Sequence, residues 1–123
     1  MQTAVDIQVN AQLSDKIRIV EVTGDLNYRN IPELSEVLVG LIDKNAKNII
    51  IDFSRITHID SAGIGILIKY ARKADNEDFE LVIAGCSEQL LTLFKPINLN
   101  KLIKIFKTVE EGVAYFQSSV KTA

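Results

Sequence analysis

The residues with the most chemistry in this sequence lie close together in Thr57-His58-Ile59-Asp60-Ser61-Ala62-Gly63-Ile64-Gly65-Ile66-Leu67, where a hydroxyl stands beside a carboxylate, an imidazole and two glycines. Nucleophilic hydrolysis is the first chemistry to test. A nucleophile elbow places glycine two residues before its serine, and Ile59 occupies that position. His58 is the sole histidine and sits three residues from Ser61 on the same connection. A general base comes instead from a separate element that can aim at the nucleophile. A Ser-His-Asp triad is therefore not supported, and a lone histidine supplies no metal site. His58 reads as a partly exposed loop residue that orders the turn before a helix. Gly63-Ile64-Gly65 is no dinucleotide loop either, because Ile68 stands where the third glycine belongs and the pair lies inside a helical pattern. Nor does a Walker phosphate loop occur. Ala62, Gly63 and Gly65 are expected to let the first helical turn pack closely on the sheet or on a partner, which offsets the roughly 1 kcal/mol that each glycine costs a helix.

Ser61 itself has two readings. Serine and aspartate are favoured at helix starts because their oxygens accept orphan backbone N–H bonds, so Ser61 reads as a helix cap. The same geometry would also accommodate a phosphate, which would meet free N–H groups at the positive end of the helix dipole. A phosphate adds a charge of roughly -1.5 to -2. Beside Asp60 and Asp25 it would turn a mildly apolar surface strongly anionic and repel a docked partner.

The elements that must position these residues follow from two alternating apolar periods, which order the chain as an α/β or mixed-sheet domain. Val5 to Val9 and Lys16 to Thr23 read as two opening strands, a hairpin, with Gly24 and Asp25 breaking the second. Asn30, Pro32 and Glu33 predict a capped start for a helix from about Ile31 to Asp43, with Ile31, Leu34, Leu38, Leu41 and Ile42 on one face. Asn48 to Phe53 is apolar on both sides and predicts a central strand. A second helix, from Asp60 to Ala74, buries Ile64, Leu67, Ile68 and Ala71. Then follow a strand at Phe79 to Ala84, a helix from Ser87 to Phe94 stopped by Pro96, a short strand near Leu102 to Phe106 and a last helix from Val109, with Thr108 and Glu111 as its capping box.

Composition narrows the function classes. The chain has 123 residues with 47% hydrophobic content and no repeat, linker or low-complexity segment, as expected for one domain spanning 1–123. Charge is mixed in sign and sums to -2, which argues against nucleic acid or an anionic membrane as partner. Met1 to Asn10 lacks the pattern of a secretory signal, and no apolar run reaches the roughly 20 residues of a membrane span, so a soluble, cytoplasmic protein is expected. Cys86 is the only cysteine; it can form no intramolecular disulfide and is expected to be a buried, unreactive thiol.

The stretch Ile59-Asp60-Ser61-Ala62-Gly63-Ile64-Gly65-Ile66-Leu67 resembles the signature of STAS domains, specifically the bacterial anti-sigma factor antagonists. Gly24-Asp25-Leu26-Asn27 followed by Ile31-Pro32-Glu33-Leu34 is similar to that family's approach to its first helix, and the element order fits over nearly the full chain. The resemblance implies an α/β fold: a single STAS-like domain with a mixed sheet of four to five strands and about four helices packed against it. It implies a protein that is not an enzyme, takes no cofactor and acts in transcription regulation. In the unmodified form such a domain binds an anti-sigma factor that is also a serine kinase of the GHKL type, which brings its own ATP and Mg²⁺. Phosphorylation of the serine matching Ser61 releases that partner, and a serine phosphatase restores binding. Carried onto this chain, the partner surface comprises Asp25, Asn27, Tyr28, Arg29, Asn30, Asp60, Ser61, Ala62, Gly63 and Gly65. Many relatives have a second aspartate where Asn27 stands here, and the resemblance does not extend to Tyr28-Arg29-Asn30, which leaves the partner's identity open. Two other readings are a constitutive scaffold in which Ser61 merely caps its helix and a small-molecule or nucleotide-binding domain; a partner switch with an output other than a sigma factor is a third.

Overall fold

The computed structural model describes residues 5–10 and 16–121, and across them the two apolar periods resolve into five strands and four α-helices. In chain order these are β1 (Val5–Asn10), β2 (Ile17–Leu26), α1 (Ile31–Asp43), β3 (Asn48–Ile59), α2 (Ser61–Asn76), β4 (Glu80–Ala84), α3 (Glu88–Phe94), a 3-10 turn at Leu99–Lys101, β5 (Ile105–Phe106) and α4 (Val109–Lys121). The strands lie side by side in sequence order as one sheet. β1 runs antiparallel to β2, and every other pairing is parallel. The mixed sheet expected from the alternating periods is thus present.

Because a strand sends successive side chains to opposite faces, the unbroken run Ile49-Ile50-Ile51 needs a cover on both sides. Ile49 and Ile51 face a large core with Leu34 and Leu38 of α1, Leu67 and Tyr70 of α2, and Leu90 and Phe94 of α3. Ile50 faces a smaller one with Ile17, Ile19, Val82 and Phe116 of α4. Three helices therefore cover one face and α4 covers part of the other. Tyr70 is buried with its hydroxyl 2.8 Å from Ser35 Oγ, which ties α2 to α1 without leaving a polar atom unpaired.

Four expectations need correction. Gly24 and Asp25 do not end β2: Gly24 sits at a φ of 100°, a conformation open to a residue without Cβ, and the ladder continues through shifts in register to Leu26. β3 does not stop at Phe53 but runs on to Ile59, paired there with β2 beyond the end of β4. Its polar residues Ser54, Arg55, Thr57 and His58 are exposed, so the continuous apolar run stops at Phe53 although Ile56 and Ile59 still pack against the large core. The strand expected at Leu102 to Phe106 shrinks to Ile105–Phe106, with the 3-10 turn before it. Asn30 gives no side-chain cap to α1; its amide is committed to the preceding loop. By contrast, Thr108 Oγ1 accepts from Glu111 N–H at 3.1 Å as the capping box requires, although Glu111 Oε1 reaches back to Lys107 N–H rather than to Thr108.

Candidate functional site

The continued pairing of β2 with β3 sets the candidate residues together. Asp25 pairs with His58 and Leu26 with Ile59 in register, and Leu26 C=O accepts from Asp60 N–H at 3.2 Å. The end of β2 therefore lies alongside the turn that launches α2. Asp25 Oδ1 accepts from Thr57 Oγ1 and lies 3.1 Å from His58 Nδ1. The His58 ring is otherwise in water, its side chain 83% exposed. His58 thus stands on a strand and not in a loop, and its contact is with the carboxylate across the ladder.

Asp60, not Ser61, caps α2. Its Oδ1 accepts from Gly63 N–H at 2.9 Å, as an N-cap carboxylate does, and this charge also meets the positive end of the helix dipole. Its Oδ2 accepts from Tyr28 N–H at 3.1 Å. One carboxylate thereby joins the helix start to the loop between β2 and α1. With the cap supplied by Asp60, Ser61 occupies the first helical position and is exposed. Its hydroxyl is not committed to the fold as a cap, which corrects the capping reading.

The loop is held from within as well. Asn30 is 5% exposed; its Oδ1 accepts from Asn27 N–H at 2.8 Å, and its Nδ2 donates to Asp25 C=O at 2.6 Å. Asn27 Oδ1 accepts from Arg29 N–H at 3.0 Å, an asparagine side chain standing in for a backbone turn. Asn30 therefore shapes the surface from beneath and does not present itself to a partner, as its place among the partner-surface residues had suggested. Tyr28 and Arg29 project outward, with Arg29 Nε donating to Tyr28 Oη at 3.0 Å and Cζ lying 5.6 Å from the ring centroid. That hydrogen bond raises the Arg29 pKa still further above an already high value.

The small residues divide. A Cβ on Gly63 would fall 2.6 Å from Ile59 Cγ1 and 3.0 Å from Leu26 O, so the first turn of α2 lies against the sheet there, as expected. Gly65 is exposed with nothing within 4 Å of such a Cβ, and Ala62 is half-buried. Close approach to the sheet is therefore a property of Gly63 and not of Gly65. Cys86 is half-buried beside the large core; burial, with the Asp52 charge second, pushes its pKa up to about 12 and keeps it a thiol. Thr57 was absent from the expected site because its β3 extension, with only Ile56 and Ile59 apolar, does not read as a strand. The pair Asn27 and Asn30 did carry a signal, since asparagine clusters mark side-chain-built turns.

Comparisons with known proteins bear on the family and the fold. The family model of the STAS domain matches residues 8–112. An anti-sigma-B factor antagonist of Staphylococcus aureus is 26% identical over 106 residues, covering 86% of this chain and 98% of its own length. Among solved structures, an anti-sigma factor antagonist from Mycobacterium paratuberculosis superposes with a TM-score of 0.80 at 17% identity, over 91% of this chain and 93% of that one. The Bacillus cell fate determinant SpoIIAA in its phosphorylated form gives a TM-score of 0.70 at 18% identity, over 90% and 99%. At such identities the two structures attest the fold alone, whereas the family match extends through both strands and both loops of the site. A mixed five-stranded sheet, a serine at the start of α2 and a sequence match over most of the chain thus lead to one conclusion: this chain belongs to the STAS domain family.

Proposed function

We propose that this chain is an anti-sigma factor antagonist that works by exchanging partners and catalyses nothing itself. In the unmodified state the face around Ser61, together with the loop from Asp25 to Asn30, binds a cytoplasmic anti-sigma factor that is also a GHKL-type serine kinase, and the sigma factor is freed. Phosphorylation of Ser61 by that kinase ends the complex, and a serine phosphatase restores it. ATP and Mg²⁺ belong to the kinase.

The observation that carries this reading is the division of labour between Asp60 and Ser61. Asp60 caps the helix at 2.9 Å, and the exposed Ser61 is left uncommitted. A phosphate on Ser61 can therefore be added without removing a structural hydrogen bond, while it places roughly two negative charges beside the Asp60 carboxylate. Repulsion of a docked partner follows without any rearrangement of the fold. The naming of the Staphylococcus aureus relative as an anti-sigma-B factor antagonist supports the same partner class.

The test uses the full chain. Wild-type and Ser61→Asp baits are applied to extract of the source cells, the retained anti-sigma factor is purified, and both affinity and transfer of labelled phosphate from ATP are measured. Wild type is expected to bind and to take up about one phosphate, Ser61→Ala to bind without labelling, and Ser61→Asp to bind at least about tenfold more weakly. Equal labelling of Ser61→Ala would place the modification elsewhere. Unchanged binding by Ser61→Asp would identify a constitutive scaffold instead.

A further inference from the structure

Within the docking face, Tyr28 and Arg29 have features that the fold does not require. Tyr28 is 67% exposed, the most exposed large hydrophobic side chain among the described residues. A ring left this far in water contributes little to the core. Its backbone is nevertheless pinned from two sides. Asp60 Oδ2 accepts from Tyr28 N–H at 3.1 Å, Asn27 Oδ1 accepts from Arg29 N–H at 3.0 Å, and the buried Asn30 holds the loop to Asp25 C=O at 2.6 Å.

The two side chains are also joined to each other. Arg29 Nε donates to Tyr28 Oη at 3.0 Å, and the guanidinium carbon lies 5.6 Å from the ring centroid, within the range of a cation–π contact. A flat aromatic body and a flat cation are thus presented as one unit on a fixed loop. Much of the ordering cost that such side chains carry into a complex is already met in the free protein. Tyrosine and arginine are also the residue types, with tryptophan, that dominate binding energy at the centres of interfaces. Among the described residues the guanidinium's terminal Nη groups make no hydrogen bond, so they can take a carboxylate in the two-pronged geometry that arginine favours.

From this we infer that Tyr28 and Arg29 are the specificity-determining pair of the docking surface and that Asp60 is the positioning residue that sets them beside Ser61. The partner they fit offers an apolar slot for the ring and an acidic residue at its rim for the guanidinium. This rests on the docking reading above.

The experiment measures affinity and its salt dependence for the anti-sigma factor recovered on the wild-type bait. Tyr28→Ala is expected to weaken binding by about tenfold or more. Arg29→Glu should do at least the same and flatten the dependence on salt. Charge reversal of the partner's acidic rim residue should restore binding to Arg29→Glu but not to Tyr28→Ala, a rescue that a merely structural role would not give. Leu93→Ala, an exposed apolar change on α3, serves as the control and should bind as wild type, and all variants should melt within a few degrees of it. Should Ser61→Asp release the partner while Tyr28→Ala and Arg29→Glu bind unchanged, the docking face stands and the selecting pair is overturned. If Ser61→Asp also binds unchanged, or if the wild-type bait recovers no anti-sigma factor, the docking reading falls and this inference with it.

Discussion

Gly63 and Gly65 lie two residues apart in α2, and each deprives the helix of roughly 1 kcal/mol relative to alanine. At Gly63 an added methyl would meet Ile59 Cγ1 at 2.6 Å and Leu26 O at 3.0 Å. The first is the inner methylene of a β-branched side chain and the second is backbone, so neither yields readily. Gly63→Ala is expected to destabilise the protein by about 1–3 kcal/mol despite its gain in helix propensity. Gly65→Ala meets nothing within 4 Å and should raise stability by up to about 1 kcal/mol. Urea denaturation of the two variants reads the opposite signs directly. If both change in the same direction, the proposed contact of the helix with the sheet is wrong. At this scale the sequence marked all of the small residues alike. It could not separate them, because the distinction depends on which side of the helix meets Leu26 and Ile59, residues from two different strands.

At the scale of elements, β3 and α4 have contrasting tasks. β3 is double-covered in its first half, while its second half is a partly exposed extension that pairs only with β2 and rests on the large core through Ile56 and Ile59. The first half was legible as an apolar run; the extension was not, since Ser54, Arg55, Thr57 and His58 make it look like loop. Yet this extension carries the site, because it aligns Asp25 with His58 and delivers Asp60 next to Tyr28. Among the described residues α4 is the only helix on its face of the sheet, with Phe116 at 1% exposure filling the space over Ile17, Ile19, Ile50 and Val82. Phe116→Ala should therefore cost about 3–5 kcal/mol, measured by denaturant midpoint at unchanged slope. A loss below about 1 kcal/mol would show that α4 is not the cover of this core.

For the whole molecule, the two cores share strands. Ile49 and Ile51 belong to one and Ile50 to the other, so neither can dissolve without the backbone that supports its neighbour. The described chain is therefore expected to unfold as one cooperative unit. Tyrosines report on both sides: Tyr70 is buried in the large core, and Tyr115 packs against the small one with its hydroxyl donating to Glu80 Oε2 at 2.7 Å. NMR signals of the two rings followed through urea should share one midpoint, which should also match the loss of helix by circular dichroism. Separate midpoints would divide the domain into two units. No helix among the described residues is long and apolar enough to cross a membrane.

The sequence by itself determined the alternation of strands and helices, the double cover of Ile49 to Ile51, the start of α1 at Ile31 and the neighbourhood in which Ser61 sits. These are matters of period and of end signals, which act over a few residues along the chain. Only the tertiary structure decided which residue caps α2, how far β3 extends, and that Asn30 braces the loop from beneath while Tyr28 and Arg29 face outward. Each of those depends on hydrogen bonds between groups far apart in sequence, such as Asp60 Oδ2 with Tyr28 N–H at 3.1 Å. A local pattern has no means of recording which distant donor a carboxylate will meet, and it was that meeting which left Ser61 exposed and uncommitted.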